Sequence, residues 1–345
     1  MVLRLTLFLL WLAAAGGFIA WSVRHTFHVG RMILPRSQAI AIAVTMVVLA
    51  SLVLAWTWLG AWTVVKRAGW ARRSSWVDHP AARYPLVALL VIVPLVLLYS
   101  RYVEPRWVRE REVVLGREPP PGQQPVRIAV ISDLHIEGKR RPWTHLAEIV
   151  NQTGPDVILF LGDTLNRPRA LPVLRDTLRA MRAPHGKLAV RGNWEAWYWN
   201  YLPLLRGTGF TWLDGDSVTL RIRGQTLVLV GLPFEEDEDG VEAQRLLGAA
   251  PRGSWRIFLY HTPDLAEAVP AADLYLAGHT HGGQISIPFF GALVTLSKYG
   301  KRFERGMHQV GHTRLYVTPG IGVEPLIPLR LGVRPEVTVI KLGAK

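Results

Sequence analysis

From residue 126 onward the chain repeats one pattern: a short apolar run that ends on an acid, a histidine or a glycine-led pair. Such runs occupy residues 127–132, 156–162, 187–190, 226–231, 255–260, 273–277, 315–318 and 336–342. At four to seven residues each, they are too short for ordinary helices and read as buried strands. Helical periodicity falls between the early ones, at 144–153 and 170–182. Buried strands alternating with helices predict an α/β domain whose sheets are covered by helices.

Residues 1–100 differ in kind. They hold nearly all the long apolar runs behind the 50% hydrophobic composition. Stretches 5–23 and 39–65 carry no charge, and 84–99 is a third apolar run containing Pro94. The first two reach the roughly 20 residues that a helix needs to cross a bilayer, and the third is marginal. Two or three transmembrane helices ahead of the α/β domain are therefore expected, in a multi-pass protein of a bacterial-type inner membrane. Trp21, Trp56, Trp58, Trp62, Tyr84 and Tyr99 lie mostly towards the span ends, as interfacial rings do. The cations flanking the spans divide almost evenly between the two possible orientations, so the side of the catalytic domain stays open. Residues 101–124 are basic and then rich in Pro and Gly, which reads as a juxtamembrane linker; 113–115 could be a first edge strand. The expected organisation is thus 1–100 transmembrane, 101–124 linker and 125–345 catalytic domain.

Net charge is +14, and nine cations against the single acid Asp78 fall in residues 1–100. Cations that flank apolar spans, rather than forming a stripe on the folded domain, argue against a nucleic-acid partner. The chain has no cysteine, which excludes disulfides, thiolate nucleophiles and thiolate-bound zinc.

The strand ends carry the chemistry. Asp133 and His135 follow the first run, Gly162-Asp163 the second and Gly192-Asn193 the third. His261 follows a later one, and Gly278-His279-Thr280-His281 another. Carboxylate, imidazole and amide donors together suit zinc, manganese or iron. Asp-x-His and His-x-His place both side chains on one side of an extended segment. A single aspartate can bridge two ions through its two oxygens.

This set resembles the calcineurin-like metallophosphoesterase superfamily, over roughly residues 126–342. Gly278–Gln284, Pro288 and Gly291, Tyr316–Gly322 and Pro328-Leu329-Arg330 look like its branch of membrane-linked or exported bacterial phosphodiesterases typified by YkuE and YaeI. The resemblance implies a four-layer α/β/β/α sandwich and two divalent metal ions (Mn, Zn or Fe). One ion would be held by Asp133, His135, Asp163 and His281, the other by Asp163, Asn193, His261 and His279, with Asp163 bridging. Asp163, Asn193 and His279 would serve catalysis through the metals, and a bridging hydroxide would attack a phosphodiester or diphosphate. Two divalent ions, two carboxylates and that hydroxide sum to about +1, which suits a phosphate anion.

One position departs from the pattern. The family usually has His after Gly-Asn, where this chain has Trp194, and an indole does not supply a proton at neutral pH. Either the leaving group is already stable as an anion, or Arg191, Glu195 or Arg330 stands in, or the domain is a non-catalytic metal-binding scaffold. UDP-2,3-diacylglucosamine hydrolases of the same superfamily also lack that His and cleave a lipid-linked diphosphate. A phosphorylated small-molecule or lipid-linked substrate and a lipid bilayer are the implied partners. Trp194, Trp197, Tyr198, Trp199 and Tyr201 form an aromatic patch that either packs under a loop or receives an apolar substrate group. His145, His185, His308 and His312 read as ordinary, 235–239 as a solvated acidic loop, and Lys298, Lys301, Arg302 and Arg305 as surface charge or an anion contact.

Overall fold

The structure is a computed structural model; it describes residues 53, 56, 57 and 80–345, apart from 120, 139–142, 235–238, 270, 293 and 326. In chain order the described elements are α1 (Pro80–Leu98), β1 (Arg109–Leu115), β2 (Val126–Ile131), α2 (Trp143–Gln152), β3 (Val157–Phe160), α3 (Leu171–Ala180), β4 (Lys187–Ala189) and β5 (Thr211–Trp212). There follow β6 (Asp216–Ile222), β7 (Gln225–Gly231), α4 (Val241–Gly248), β8 (Trp255–Leu259), β9 (Leu274–Ala277), β10 (Ser286–Ile287), β11 (Gly291–Ala292), β12 (Gly306–Val310), β13 (Thr313–Val317) and β14 (Glu336–Leu342).

Side chains alternate across a strand, and here both faces are apolar. In β2, Ile128 and Val130 face one core while Ala129 and Ile131 face another. In β3, Val157 and Leu159 join the first core, Ile158 and Phe160 the second. The same split recurs in β7, β8 and β9: Leu229, Ile257 and Leu274 share the core of Ile128, while Val230, Phe258 and Tyr275 enter a third. Two sheets therefore pack face to face over a shared core. Their orders are β1-β14-β2-β3-β4-β5 and β12-β13-β9-β8-β7-β6. The outer face of the first is covered by Leu146 and Val150 of α2 and by Leu174 and Leu178 of α3. That of the second is covered by Ala243 and Leu247 of α4. Strands β2, β3 and β4 run parallel, as do β7, β8 and β9. The parallel runs end in the loops that hold Asp133, Asp163, Asn193, His261 and His279.

Two expectations change. Among the described residues no helix is long and apolar enough to cross a membrane, so the fold class with transmembrane helices and the multi-pass membrane localisation are corrected. Helix α1 covers most of the third expected span, but Arg83 and Tyr84 lie in its first turns. The apolar remainder, residues 85–98, is about 21 Å at ~1.5 Å per residue, against a hydrocarbon core of roughly 30 Å. The expected spans 5–23 and 39–65 lie outside the described residues, except for 53, 56 and 57. The segment read as a linker contains β1, which pairs in parallel with β14 from Arg109↔Glu336 to Leu115↔Leu342. Val103–Lys345 is one compact unit, distinct from Met1–Tyr102.

Candidate metal centre

Asp133, His135, Asp163, Asn193, His261, His279 and His281 are all buried, and the two sheets bring them together. The expected extended Asp-x-His and His-x-His segments are not extended. Asp133, His135, Asp163, His279 and His281 all have φ between 45° and 67°, the left-handed region. That conformation costs a residue with a Cβ roughly 1–2 kcal/mol, so the surroundings must impose it. They do so by hydrogen bonds across loops. Asp133 N–H donates to Gly162 O at 2.9 Å, His135 N–H to Asp163 O at 3.1 Å and Gly322 N–H to Asp133 O at 2.6 Å. The approach is close enough to require glycine at 192, where a Cβ would lie 2.3 Å from Asp163 Oδ1.

The ligand atoms fall into two groups, each within 4.8 Å: Asp133, His135 and His281, and Asp163, His261 and His279. Asp163 lies between them, its Oδ2 3.4 Å from His135 Nε2 and 3.3 Å from His261 Nε2. The outer ring nitrogens are committed: His135 Nδ1 lies 2.8 Å from Asn166 Oδ1, His261 Nδ1 2.6 Å from Leu161 O and His279 Nε2 3.1 Å from Leu296 O. A carbonyl only accepts, so each of these nitrogens carries a proton, which leaves the inward nitrogen of each ring as the one that can offer a lone pair to a metal once any second proton has left. Inward nitrogens then face each other, His135 Nε2 and His281 Nε2 at 3.2 Å, His261 Nε2 and His279 Nδ1 at 3.3 Å. Asn193 Oδ1 is buried with no hydrogen-bond partner among the described residues. An orphaned amide oxygen buried beside two carboxylates and four inward-turned imidazoles is unfavourable on its own and fits a cation among them. All donors are oxygen or nitrogen, which suits borderline divalent metals.

Burial works against the Asp163 carboxylate, but His261 and His135 outweigh it and hold its pKa well below the usual range. Burial raises Asp133. Burial also disfavours a charged His261, yet Asp163 and then Asp133 push its pKa up to about 10. His279 is pushed down to about 4 by burial and by His261, and His281 well below its ordinary value by burial, His135 and Arg330.

The residues that could stand in for the missing histidine are engaged elsewhere. Glu195 accepts at both oxygens: from Asp163 N–H and Gly192 N–H at Oε2, each 2.8 Å, and from Thr164 N–H (2.8 Å) and Oγ1 (2.6 Å) at Oε1. Arg191 pairs with Asp214 at 2.9 Å and lies over Trp212. Arg330 is fully buried, donates to Gly322 O and Pro319 O, and sets Nη2 3.3 Å from His281 Nδ1. Asn166 and the anchoring role of Glu195 carry no ligand-like spacing in the sequence and emerge only from the fold.

Trp194 turns its indole edge-on to His135, with centroids 5.2 Å apart, while its backbone N–H donates to Asp163 Oδ1 at 3.0 Å. From there the rings continue to Tyr198 (5.1 Å), Trp197 (6.3 Å) and Phe234 (5.6 Å), which reaches His261 at 6.4 Å. Trp199 is instead core, donating from Nε1 to Leu165 O at 2.7 Å, and Tyr201 is exposed. His145 pairs with Glu148 at the surface, and His308 lies 3.1 Å from Arg305 O. Neither belongs to the two ligand groups. Most of the acidic run, 235–238, lies outside the described residues.

Residues 126–283 match the sequence profile described as calcineurin-like phosphoesterase. The chain is 32% identical over 255 residues to the uncharacterized metallophosphoesterase YkuE of Bacillus subtilis, covering 71% of this chain and 88% of that one. It is 26% identical over 266 residues to YkoQ of the same organism, an uncharacterized metallophosphoesterase, covering 73% and 96%. It is 27% identical over 259 residues to the phosphodiesterase YaeI of Escherichia coli, covering 71% and 92%.

Proposed function

The chain belongs to the calcineurin-like metallophosphoesterases and is a metal-dependent hydrolase, and from that premise we propose that it cleaves a phosphodiester or diphosphate bond of a lipid-linked substrate at a dinuclear centre. The observation that carries the reading is the pair of inward-facing donor groups that share Asp163. Asp133, His135, Asp163 and His281 take one ion; Asp163, Asn193, His261 and His279 take the other. When bound, two such ions supply Lewis acidity and bring the pKa of a shared water near neutrality.

The chain's own residues do the rest. Trp194 N–H holds Asp163 Oδ1, which leaves Oδ2 aimed between His135 and His261. Leu161, Leu296 and Asn166 fix the ring orientations. The arc from Trp194 to Phe234 offers an apolar wall beside the centre, which supports an acyl or aromatic group on the substrate. No proton donor stands where the family places one, which favours a leaving group that departs as an anion, as one half of a diphosphate does.

Purified protein with manganese or zinc is expected to release product from bis-p-nitrophenyl phosphate and from a lipid-linked diphosphate. Inactivity on both with metal bound would overturn the reading. Trp194→His is expected to raise turnover of a dialkyl phosphodiester, a poor leaving-group substrate, by about ten-fold or more, while diphosphate turnover changes less than about two-fold. Equal changes on the two substrates would show that the indole does not set leaving-group preference.

Metal binding carries a pH signature. With its pKa raised to about 10, His261 holds a proton on both nitrogens in the metal-free protein at pH 7, and ligation must displace the Nε2 proton. His279 is pushed down to about 4 and releases none. Affinity should therefore rise with pH, by about ten-fold per unit for one displaced proton, up to about pH 10. Calorimetric titration of metal-free protein in two buffers of different ionisation enthalpy measures the release; buffer-independent heats would contradict it.

A further inference from the structure

Five residues after His281 the chain leaves the centre as a hairpin, β10 and β11, whose tip is Pro288-Phe289-Phe290. Phe289 is 111% exposed, Phe290 60% and Ile287 45%. Phe289 also sits at φ 66°, in the left-handed region, where a bulky residue is a true outlier. Two large rings are thus held in water, one of them in a conformation that costs a bulky residue free energy.

The base of the hairpin is rigid. Ala292 N–H donates to Glu304 Oε2 at 3.0 Å, Ser286 N–H to Leu331 O at 2.8 Å, and Arg305 donates to Gly332 O at 3.2 Å. The segment that carries the tip is basic in sequence, with Lys298, Lys301, Arg302 and Arg305 against Glu304 in residues 284–305, while Asp264 accepts from the Lys298 backbone N–H at 3.1 Å. Lys301 Nζ stands 3.6 Å above the Phe290 ring and donates to the Phe290 carbonyl. Arg302 pairs with Glu267 at 2.6 Å, and Lys298 lies over Tyr299.

We propose that this hairpin docks the protein on an anionic phospholipid surface, with Phe289 and Phe290 entering the headgroup region and Lys298 and Lys301 facing lipid phosphates. A protruding aromatic tip needs no complementary groove when its partner is a deformable interface, and the flanking cations match the sign of anionic lipid. This is a surface contact of one hairpin, distinct from a spanning helix. It deepens the reading of a lipid-linked substrate, on which it rests for its purpose, because the hairpin is rooted beside His281 and would bring the metal ligands to headgroup depth.

The chain has no native cysteine, so a single introduced thiol can carry an environment-sensitive fluorophore. Full-length Ile287→Cys protein, labelled, is combined with vesicles of phosphatidylcholine alone or with about a third phosphatidylglycerol. Val241→Cys, 67% exposed on α4, serves as the reference label. The expected result is a blue shift at 287 with the anionic vesicles only, none at 241, and at least about ten-fold weaker vesicle binding by the hairpin once Phe289→Ser and Phe290→Ser, or Lys298→Glu and Lys301→Glu, are added. The same emission at 287 with and without anionic lipid would overturn the proposal. So would a shift in concentrated lipid-free protein, which would mark a protein partner instead. The readout contains no turnover, so failure here and failure of the hydrolytic reading are separate results.

Discussion

Asp163→Ala is expected to lower phosphodiester turnover by at least about a thousand-fold and to reduce bound metal from two ions per chain to one or none. The side chain lies within 3.4 Å of ligand nitrogens from both donor groups, His135 and His261. Its removal leaves those histidines facing each other without the carboxylate that organises them, and lowers the negative charge of the centre by one. A loss of Lewis-acid stabilisation worth about 4 kcal/mol corresponds to that thousand-fold, since each ~1.4 kcal/mol is a factor of ten. Asp163→Asn, which keeps the shape and one oxygen, should retain the fold and still lose the second ion. The measurements are turnover of bis-p-nitrophenyl phosphate and metal content by mass spectrometry after desalting. Retention of two ions and of a tenth or more of the activity in Asp163→Ala would exclude the bridging role.

Glu195→Ala is expected to destabilise the protein by about 4 kcal/mol, although Glu195 is no metal ligand. Its buried carboxylate accepts hydrogen bonds from three backbone N–H groups and one hydroxyl in two different loops. Buried donors stripped of their acceptor cost about 1–3 kcal/mol each, and water entering the cavity recovers part. For a unit of this size about 4 kcal/mol is a drop of roughly 10 °C in the midpoint of thermal unfolding. The loops concerned carry Asp163 and Asn193, so metal affinity should fall with stability. Glu195→Gln separates the effects: it fills the same space but sets an NH2 against donors. Differential scanning calorimetry with and without metal tests this; a midpoint within about 2 °C of the parent for Glu195→Ala would refute the anchoring role.

Which strands are buried is legible in the sequence, because 127–132 and 156–162 are apolar at consecutive interior positions, as a strand buried on both faces is, and are too short for ordinary helices. Strands β6 and β12 are not legible. Each is a sheet edge with polar positions interleaved, Asp216 and Arg221 in one, Gln309 in the other, and so reads as loop. The types and strand-end places of the seven proposed ligands are legible in the sequence for a related reason: acids, histidines and a glycine-led asparagine directly follow the apolar runs. Their backbone conformation is not. The left-handed turns at Asp133 and His135 are imposed by chain segments far away in sequence, among them Gly322, whose N–H meets Asp133 O. The full burial of Arg330 likewise has no local signal, since its acceptors are carbonyls of Pro319 and Gly322 brought close by the fold.

Strands with two apolar faces raise a problem of alignment. Sliding β2 or β3 by one residue would exchange one set of aliphatic side chains for another, and water would not object to either arrangement. The information that selects one alignment must then sit at the polar ends. At one end, the Asp156 carboxylate accepts from Arg127 N–H at 2.8 Å and from the Arg223 guanidinium at 2.6 and 2.7 Å, just before β3 begins. At the other end stand Asp133 and Asp163, which find their partners only in the observed alignment. The end of the sandwich that gathers these acids is thus also its ruler, and a chain whose strands have slipped cannot bring the proposed ligands together.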